Sequence, residues 1–120
     1  MKRVDYKEVL EKPEVLEREA ERFGKNLSQK ERQVREMYAT VLKSKDLSMV
    51  SPRVKYQAAK QRDRDLDALA RYVVGLVSEV RKKEGEEFEK YRKSLLNFLE
   101  AVVAYARYYK AMEKEDYSWR

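Results

Sequence analysis

The sequence of 120 residues contains neither cysteine nor histidine. Without cysteine the chain can form no disulfide and offers no thiolate to a metal ion; without histidine it lacks the usual general base and the usual metal ligand. It also lacks the glycine spacing of a phosphate-binding loop. Two acidic pairs have no nucleophile or base template around them and are interpreted as charges at helix ends. They are Asp63 with Asp65 and Glu86 with Glu87. The sequence therefore predicts no catalysis, no cofactor and no bound metal.

Glycine and proline are rare, with three and two residues. No apolar run reaches the roughly 18 residues that cross a bilayer, so we expect neither membrane insertion nor export, and the cytoplasm is the default location. Alanine, leucine, glutamate, lysine and arginine dominate, which favours helix. A chain of this length most simply forms one domain, 1–120. The sequence thus predicts an all-α fold, a compact bundle of about five helices with a long C-terminal helix.

Apolar spacing and capping signals indicate where the helices lie. Ser28 and Glu31 have the spacing of a capping box, and Gly24 can end the helix before them. Ser51 followed by Pro52 is typical of a helix start. Residues 88–109 keep apolar positions three and four apart, which predicts one long helix that packs on more than one side. The predicted helices run to about residue 23, from the Ser28 cap to Leu42, and over 52–62, 66–80 and 86–114, with a polar loop over 43–50 and a frayed end after Met112.

Basic residues are concentrated in one part of this chain. Its 28 lysines and arginines and 22 acidic residues give a net charge of +6. Residues 25–64 hold 11 basic and four acidic side chains, a net charge of +7, so the rest of the chain carries −1. Neutralising phosphates releases their condensed counterions, and a local excess of this size therefore suggests a surface that binds a polyanion.

Helical phase places these basic residues in two stripes, because successive residues are about 100° apart. Glutamines in the stripes could bond phosphates or ribose hydroxyls, so the surface would read the nucleic acid backbone and not its bases. The alternative is an ordinary solvated face with internal pairs such as Glu31 with Arg35. The stripes are Arg32, Arg35, Ala39 and Lys43 on the second helix and Arg53, Gln57, Lys60 and Arg64 on the third.

The nine tyrosines could provide stacking surfaces for bases. Tyr56 lies within the basic stretch, but its spacing among Val54 and two alanines predicts a core residue. Most of the others are interpreted as core or interface residues whose hydroxyl stays at the edge.

Three segments, in order, carry a family resemblance. In QVREMY, Gln33–Tyr38, a glutamine, an aliphatic residue and an arginine precede an aromatic residue. In PRVKYQAAK, Pro52–Lys60, a tyrosine and two small residues separate basic ends. EAVVAY, Glu100–Tyr105, is the most specific of the three. Together they resemble the small helical subunit of the Csm complex, the type III-A CRISPR effector.

The resemblance implies a non-catalytic five-helix bundle. Such subunits line up in several copies, pack on each other and on other Csm subunits, and hold guide RNA and target RNA electrostatically. Arg35, Arg53 and Lys60 match the basic positions of the family segments. Lys60 stands where arginine is typical and Ala59 where glycine is common, and lysine loses bidentate phosphate geometry. The RNA-binding residues predicted here are Lys30, Arg32, Arg35, Arg53, Lys60, Arg62 and Arg64.

Other functions remain open at this level. The small subunit of the related Cmr effector is also helical and basic, although the EAVVAY segment favours the Csm family. A structural adaptor could dimerise through the long helix, with the basic stretch serving only solubility. A nuclease would need carboxylates that converge on one metal site.

Overall fold

The computed structural model describes residues 4–114 of the chain, with side chains up to Glu113. The predicted all-α fold is confirmed, including the long C-terminal helix, but this part of the chain contains six helices and not five. The predicted fraying after Met112 lies mostly outside the described residues. The helices are α1, Tyr6–Glu11; α2, Pro13–Asn26; α3, Glu31–Lys43; α4, Val50–Gln61; α5, Arg64–Val80; and α6, Gly85–Lys114, with a short 3-10 turn, Ser28–Lys30, between α2 and α3.

The extra helix arises because the first predicted helix is two helices. Lys12 is extended, with φ −113° and ψ 109°, and Pro13 is the first residue of α2. Proline has no N–H to continue a helix and disfavours helical geometry in the residue before it. Asp5 caps α1 by accepting the backbone N–H of Glu8 at 3.0 Å. The break turns the chain so that α1 packs on α2, α5 and α6.

The sequence predicted that Gly24 ends α2. This is wrong, because the helix continues to Asn26. Gly24 lies instead where α2 meets α6. A Cβ atom at Gly24 would be 2.4 Å from the Tyr105 Cβ and 2.9 Å from the backbone nitrogen of Ala106. Only glycine allows backbones to approach this closely, so Gly24 serves helix packing and not helix termination.

The predicted capping box of α3 is also wrong. The residue before α3 is Lys30, which gives no side-chain cap. Ser28 instead donates its hydroxyl to the Glu113 carboxylate at 2.9 Å, and Glu31 accepts from Arg35 at 2.8 Å. The bond of Ser28 ties the start of α3 to the end of α6, whereas Glu31 pairs one turn later on its own helix.

The linker between α3 and α4 matches the predicted loop over 43–50 but is not purely polar. Leu47 is fully buried and has φ of 65°. Met49, with φ of 64°, precedes α4, which begins at Val50 and not at the predicted Ser51–Pro52 cap. The buried leucine anchors the linker to the core and fixes the start of α4.

The core forms where α2, α5 and α6 meet. Phe23, Tyr72 and Phe98 are buried there, with Tyr72 stacked on Phe98 at 5.4 Å between ring centroids. α6 packs on α1, α2, α3 and α5, which confirms the prediction that it packs on more than one side. Leu42, the apolar residue at the end of the helix predicted from the Ser28 cap, is 48% exposed. The buried face of α3 is narrower than its apolar pattern suggested.

Three tyrosines near the core bond to glutamates of α1 and α2. Tyr91 donates its hydroxyl to Glu11, Tyr109 donates to Glu21, and Tyr72 donates to Glu19. The bond to Glu11 raises the pKa of Tyr91 to about 12. Tyr72 and Tyr91 thus follow the sequence interpretation, since the ring is buried and the hydroxyl reaches a polar partner.

Replacing Gly24 by alanine should destabilise the fold by about 3 kcal/mol, because the added methyl would overlap the backbone of α6. Gly85→Ala is the matched control. Gly85 has φ of +59° but open space around it, so an alanine there should lower the free energy of unfolding by only about 1 kcal/mol, through backbone strain. Urea unfolding of both variants checks this, and equal losses would contradict the packing role of Gly24.

The contribution of Tyr91 to the free energy of unfolding should fall as the pH rises from about 10 to 12. Its folded pKa lies above the ordinary value of 10.0, so its contribution is complete below pH 10 and is lost as the pH approaches the folded pKa. Tyr91→Phe should therefore be less stable than the native chain at neutral pH and show a flatter loss over this range. Thermal unfolding of the native chain and of Tyr91→Phe across a pH series measures the difference at neutral pH and the loss at high pH. If the two proteins lost stability in parallel, the result would argue against the Tyr91–Glu11 bond.

Candidate nucleic-acid interface

α3 and α4 lie side by side and antiparallel. Gln57 of α4 donates its side-chain amide to the Thr40 hydroxyl of α3 at 2.8 Å. The Lys30 ammonium, just before α3, is 3.9 Å from the carboxylate of Asp63, just after α4. The start of α3 therefore lies near the end of α4, and a groove runs between the two helices.

The hydrogen bonds on the floor of this groove determine how the Gln57 amide is oriented. The Thr40 hydroxyl donates its one proton to the Glu36 carbonyl at 3.0 Å, so it can only accept from Gln57. The Gln57 Oε1 atom is buried and has no hydrogen-bond partner among the described residues. The network links the two helices through side chains and holds the groove in shape.

The groove brings Arg53 and Lys60 together, two of the residues predicted to bind RNA. Arg53 is three residues before Tyr56 and Lys60 is four residues after it, and both lie on the side of α4 that faces the groove. The cavity has a volume of about 320 Å³. Its lining consists of Glu36, Thr40, Pro52, Arg53, Tyr56, Gln57 and Lys60.

Tyr56 is 66% exposed, so its predicted burial in the core is wrong. The buried stripe of α4 consists of Val50, Val54 and Ala58. Tyr56 is about 160° around the helix from Val54 and from Ala58, and its ring therefore projects away from the core. The Lys60 ammonium lies 5.7 Å from the centre of this ring. The helical phase of Tyr56 relative to Val54 and Ala58 was the sequence signal that could have predicted its exposure.

The cations of the groove are not neutralised by neighbours. Among the described side chains, Arg53 and Lys60 form no salt bridge within 4.0 Å. α4 contains no acidic residue, and Glu36 is the one acid lining the groove. Positive charge here is therefore available to an anionic ligand.

Arg35, the third residue matched to the family segments, lies elsewhere. Its guanidinium bonds the Glu31 carboxylate at 2.8 Å, and Arg107 of α6 approaches the same carboxylate at 3.6 Å. Glu31 is buried, with 8% of its surface exposed. Arg107 thus links α6 to α3 through Glu31, and Arg35 pairs with the same carboxylate from within α3. Arg107 was missed because it is distant in sequence from the basic stretch, and no local pattern connects it to Glu31.

Three other predicted residues surround the corner between α4 and α5, just beyond Lys60. Arg62 is exposed in the left-handed conformation with φ of 51°, and Arg64 is exposed as the first residue of α5. Lys30 approaches from the other side of Asp63, which caps α5 by accepting the Leu66 N–H at 2.9 Å. A cation at a helix N-terminus opposes the helix dipole, so helix stability does not explain Arg64.

Arg32 is exposed on α3, one turn before Glu36 and on the same side of the helix. It therefore adds a positive charge on the α3 side, next to Glu36, outside the groove lining. Of the seven predicted residues, Arg53 and Lys60 line the groove, Arg32 lies beside it, Lys30, Arg62 and Arg64 lie at the corner beyond it, and Arg35 lies elsewhere.

Another cavity among residues 4–114 differs from the groove in charge. It has a volume of about 650 Å³, lies between the first two helices and α6, and is lined by Glu11, Glu17 and Glu87 with Lys90, a charge that does not suit a polyanion. Within residues 4–114 no three acidic side chains converge as metal ligands. No helix in that range is long and apolar enough to cross a bilayer.

A family model described as Csm2 Type III-A matches residues 10–112, a range that contains the whole α3–α4 groove. No curated protein and no solved structure matched the chain.

Charge reversal should separate Arg35 from the groove residues by its effect on stability. Arg35→Glu would place a second carboxylate beside the buried Glu31, and we expect a loss of about 2 kcal/mol in the free energy of unfolding. Arg53→Glu removes no internal bond and should stay within about 0.5 kcal/mol of the native chain. Chemical denaturation of the two variants measures this. A stable Arg35→Glu variant would show that its pair with Glu31 is not structural.

Proposed function

The chain belongs to the Csm2 Type III-A family and is the small subunit of a type III-A CRISPR (Csm) complex, and we propose that it is a non-catalytic subunit that holds RNA through the α3–α4 groove. The ligand is the sugar–phosphate backbone of guide RNA and target RNA. Base pairing between the two strands supplies the sequence specificity, as it does in other RNA-guided systems.

The observation that carries this proposal is the pair of unneutralised cations, Arg53 and Lys60, on one wall of a preformed groove. Phosphate contacts of this kind position a nucleic acid without reading its sequence. Arg53 can bond a phosphate through two parallel N–H groups, and Lys60 acts as a point charge. The arrangement suits a subunit that must accept any guide sequence.

The corner beyond the groove continues the same surface. Arg62 and Arg64 follow Lys60 along the chain, and Lys30 approaches them across Asp63. These residues would contact the phosphates that leave the groove. Arg35 contributes less, because its charge is shared with Glu31.

As a Csm subunit the chain assembles with the other subunits of the effector. We further propose that several copies of it lie side by side along the RNA, and that the complex works in the cytoplasm. Dimerisation through the long helix is less well supported, because α6 packs on four other helices and most of its apolar residues are in the core. The family match favours the type III-A effector over the Cmr effector.

Reversing the charges of the groove should weaken RNA binding. The double variant Arg53→Glu, Lys60→Glu should bind single-stranded RNA at least tenfold more weakly at low salt, and its affinity should depend less steeply on salt because about two phosphate contacts are lost. The loss should be equal for unrelated RNA sequences. Fluorescence anisotropy of labelled oligonucleotides across a salt series measures affinity and slope together.

Lys55→Glu is the matched control, since Lys55 is exposed on the same helix but lies about 160° around it from Arg53. It should have a smaller effect than the single variant Arg53→Glu, which changes the charge by the same amount. Glu36→Gln removes the one acid of the groove lining and should strengthen binding. The proposal fails if the groove variants bind RNA like the native chain, or if Lys55→Glu weakens binding as much as they do.

A further inference from the structure

We propose that Tyr56 is a stacking site for one unpaired base of the bound RNA, with the phosphates on either side of that nucleotide held by Arg53 and Lys60. The inference rests on the proposed RNA-binding function and adds to it a contact with a base. Backbone contacts alone make no use of an exposed aromatic ring.

The exposure of Tyr56 is the first observation. Two thirds of its surface is open, whereas Tyr72 and Tyr91, which bond to glutamates, are almost fully buried. No hydrogen bond between the Tyr56 hydroxyl and another side chain is found among the described residues. The core therefore does not explain this ring, and its exposed surface is free to contact a ligand.

The position of the two cations is the second observation. Arg53 and Lys60 are seven residues apart, about 10 Å along the helix axis, and Tyr56 lies between them. A base that stacks on Tyr56 brings a phosphate on each side of its ribose, and each phosphate then meets a cation. Charged grooves with aromatic side chains are the common way in which proteins bind single-stranded nucleic acid.

The groove is also prepared for this ligand before it binds. The bond between Gln57 and Thr40 joins the two walls beneath the ring, and the Lys60 ammonium already lies over the ring at 5.7 Å. A preformed site loses little conformational entropy when a base arrives. Tyr56 and Arg53 lie on a helix and not on a loop, which keeps their spacing constant.

An unpaired base fits this site better than a duplex or a protein segment. Inside a duplex both faces of each base are already stacked, so away from the duplex ends a side chain can stack only on a base that has left the helix. A protein partner would need apolar area, and apart from the tyrosine ring the groove offers Pro52 among polar and charged residues.

The test uses the full chain with three probes: oligouridylate, an abasic ribose–phosphate strand of the same length and charge, and a blunt RNA duplex. Tyr56→Ala should bind oligouridylate roughly five- to hundredfold more weakly, the range measured when one stacking side chain is removed. Its affinity for the abasic strand and for the duplex should be unchanged. Tyr56→Phe keeps the ring and should bind all three probes like the native chain.

Each outcome distinguishes stacking from backbone binding. If Tyr56→Ala binds oligouridylate normally while Arg53→Ala binds it weakly, stacking is wrong and the proposed function stands. If Tyr56→Ala weakens all three probes equally, the tyrosine does not recognise a base, and stacking is again wrong. If neither the variants nor the native chain bind RNA at low salt, the proposed function itself fails. Thermal unfolding confirms that the variants fold, as expected for an exposed position.

Discussion

The close contact between α2 and α6 is the constraint on which the rest of the bundle depends. Gly24 has no side chain, so the two backbones approach to a distance at which a methyl group would overlap Tyr105. α6 can then pack on α1, α2, α3 and α5. α4 is left to pack mainly on α3 and α5, at the surface of the bundle. The candidate RNA surface therefore exists because the core is completed without using most of α4.

This peripheral position explains the character of α4. Its buried stripe is narrow, and the rest of its circumference faces solvent or the groove. Water solvates cations there, so they need no internal partner, whereas an unpaired charge in the core would cost several kcal/mol. The bond from Gln57 to Thr40 keeps this exposed helix in register with α3. For a Csm2 family member, the result is a rigid surface whose charges remain available.

Availability, more than the number of basic residues, distinguishes the candidate binding groups. Arg35 and Arg53 lie in the same basic stretch and are both exposed, but Arg35 is held by the buried Glu31 and Arg53 has no acidic partner in the described structure. Arg107 joins Arg35 at Glu31 although it lies far along the chain. A count of charges treats these residues alike, while the packing of α3 against α6 separates them.

The sequence by itself determined the helical class, the long last helix and the basic stretch, because composition and apolar period express local preferences. Local signals also predicted Gly24 as a helix end, a capping box at Ser28 and a buried Tyr56, and all three were wrong. At Gly24 and Ser28 the decisive neighbours are on α6, about 80 residues away in the chain. Helical phase could have placed Tyr56 outside the core, but only the tertiary structure decided which cations stay unpaired, since this depends on which face of each helix its neighbours cover.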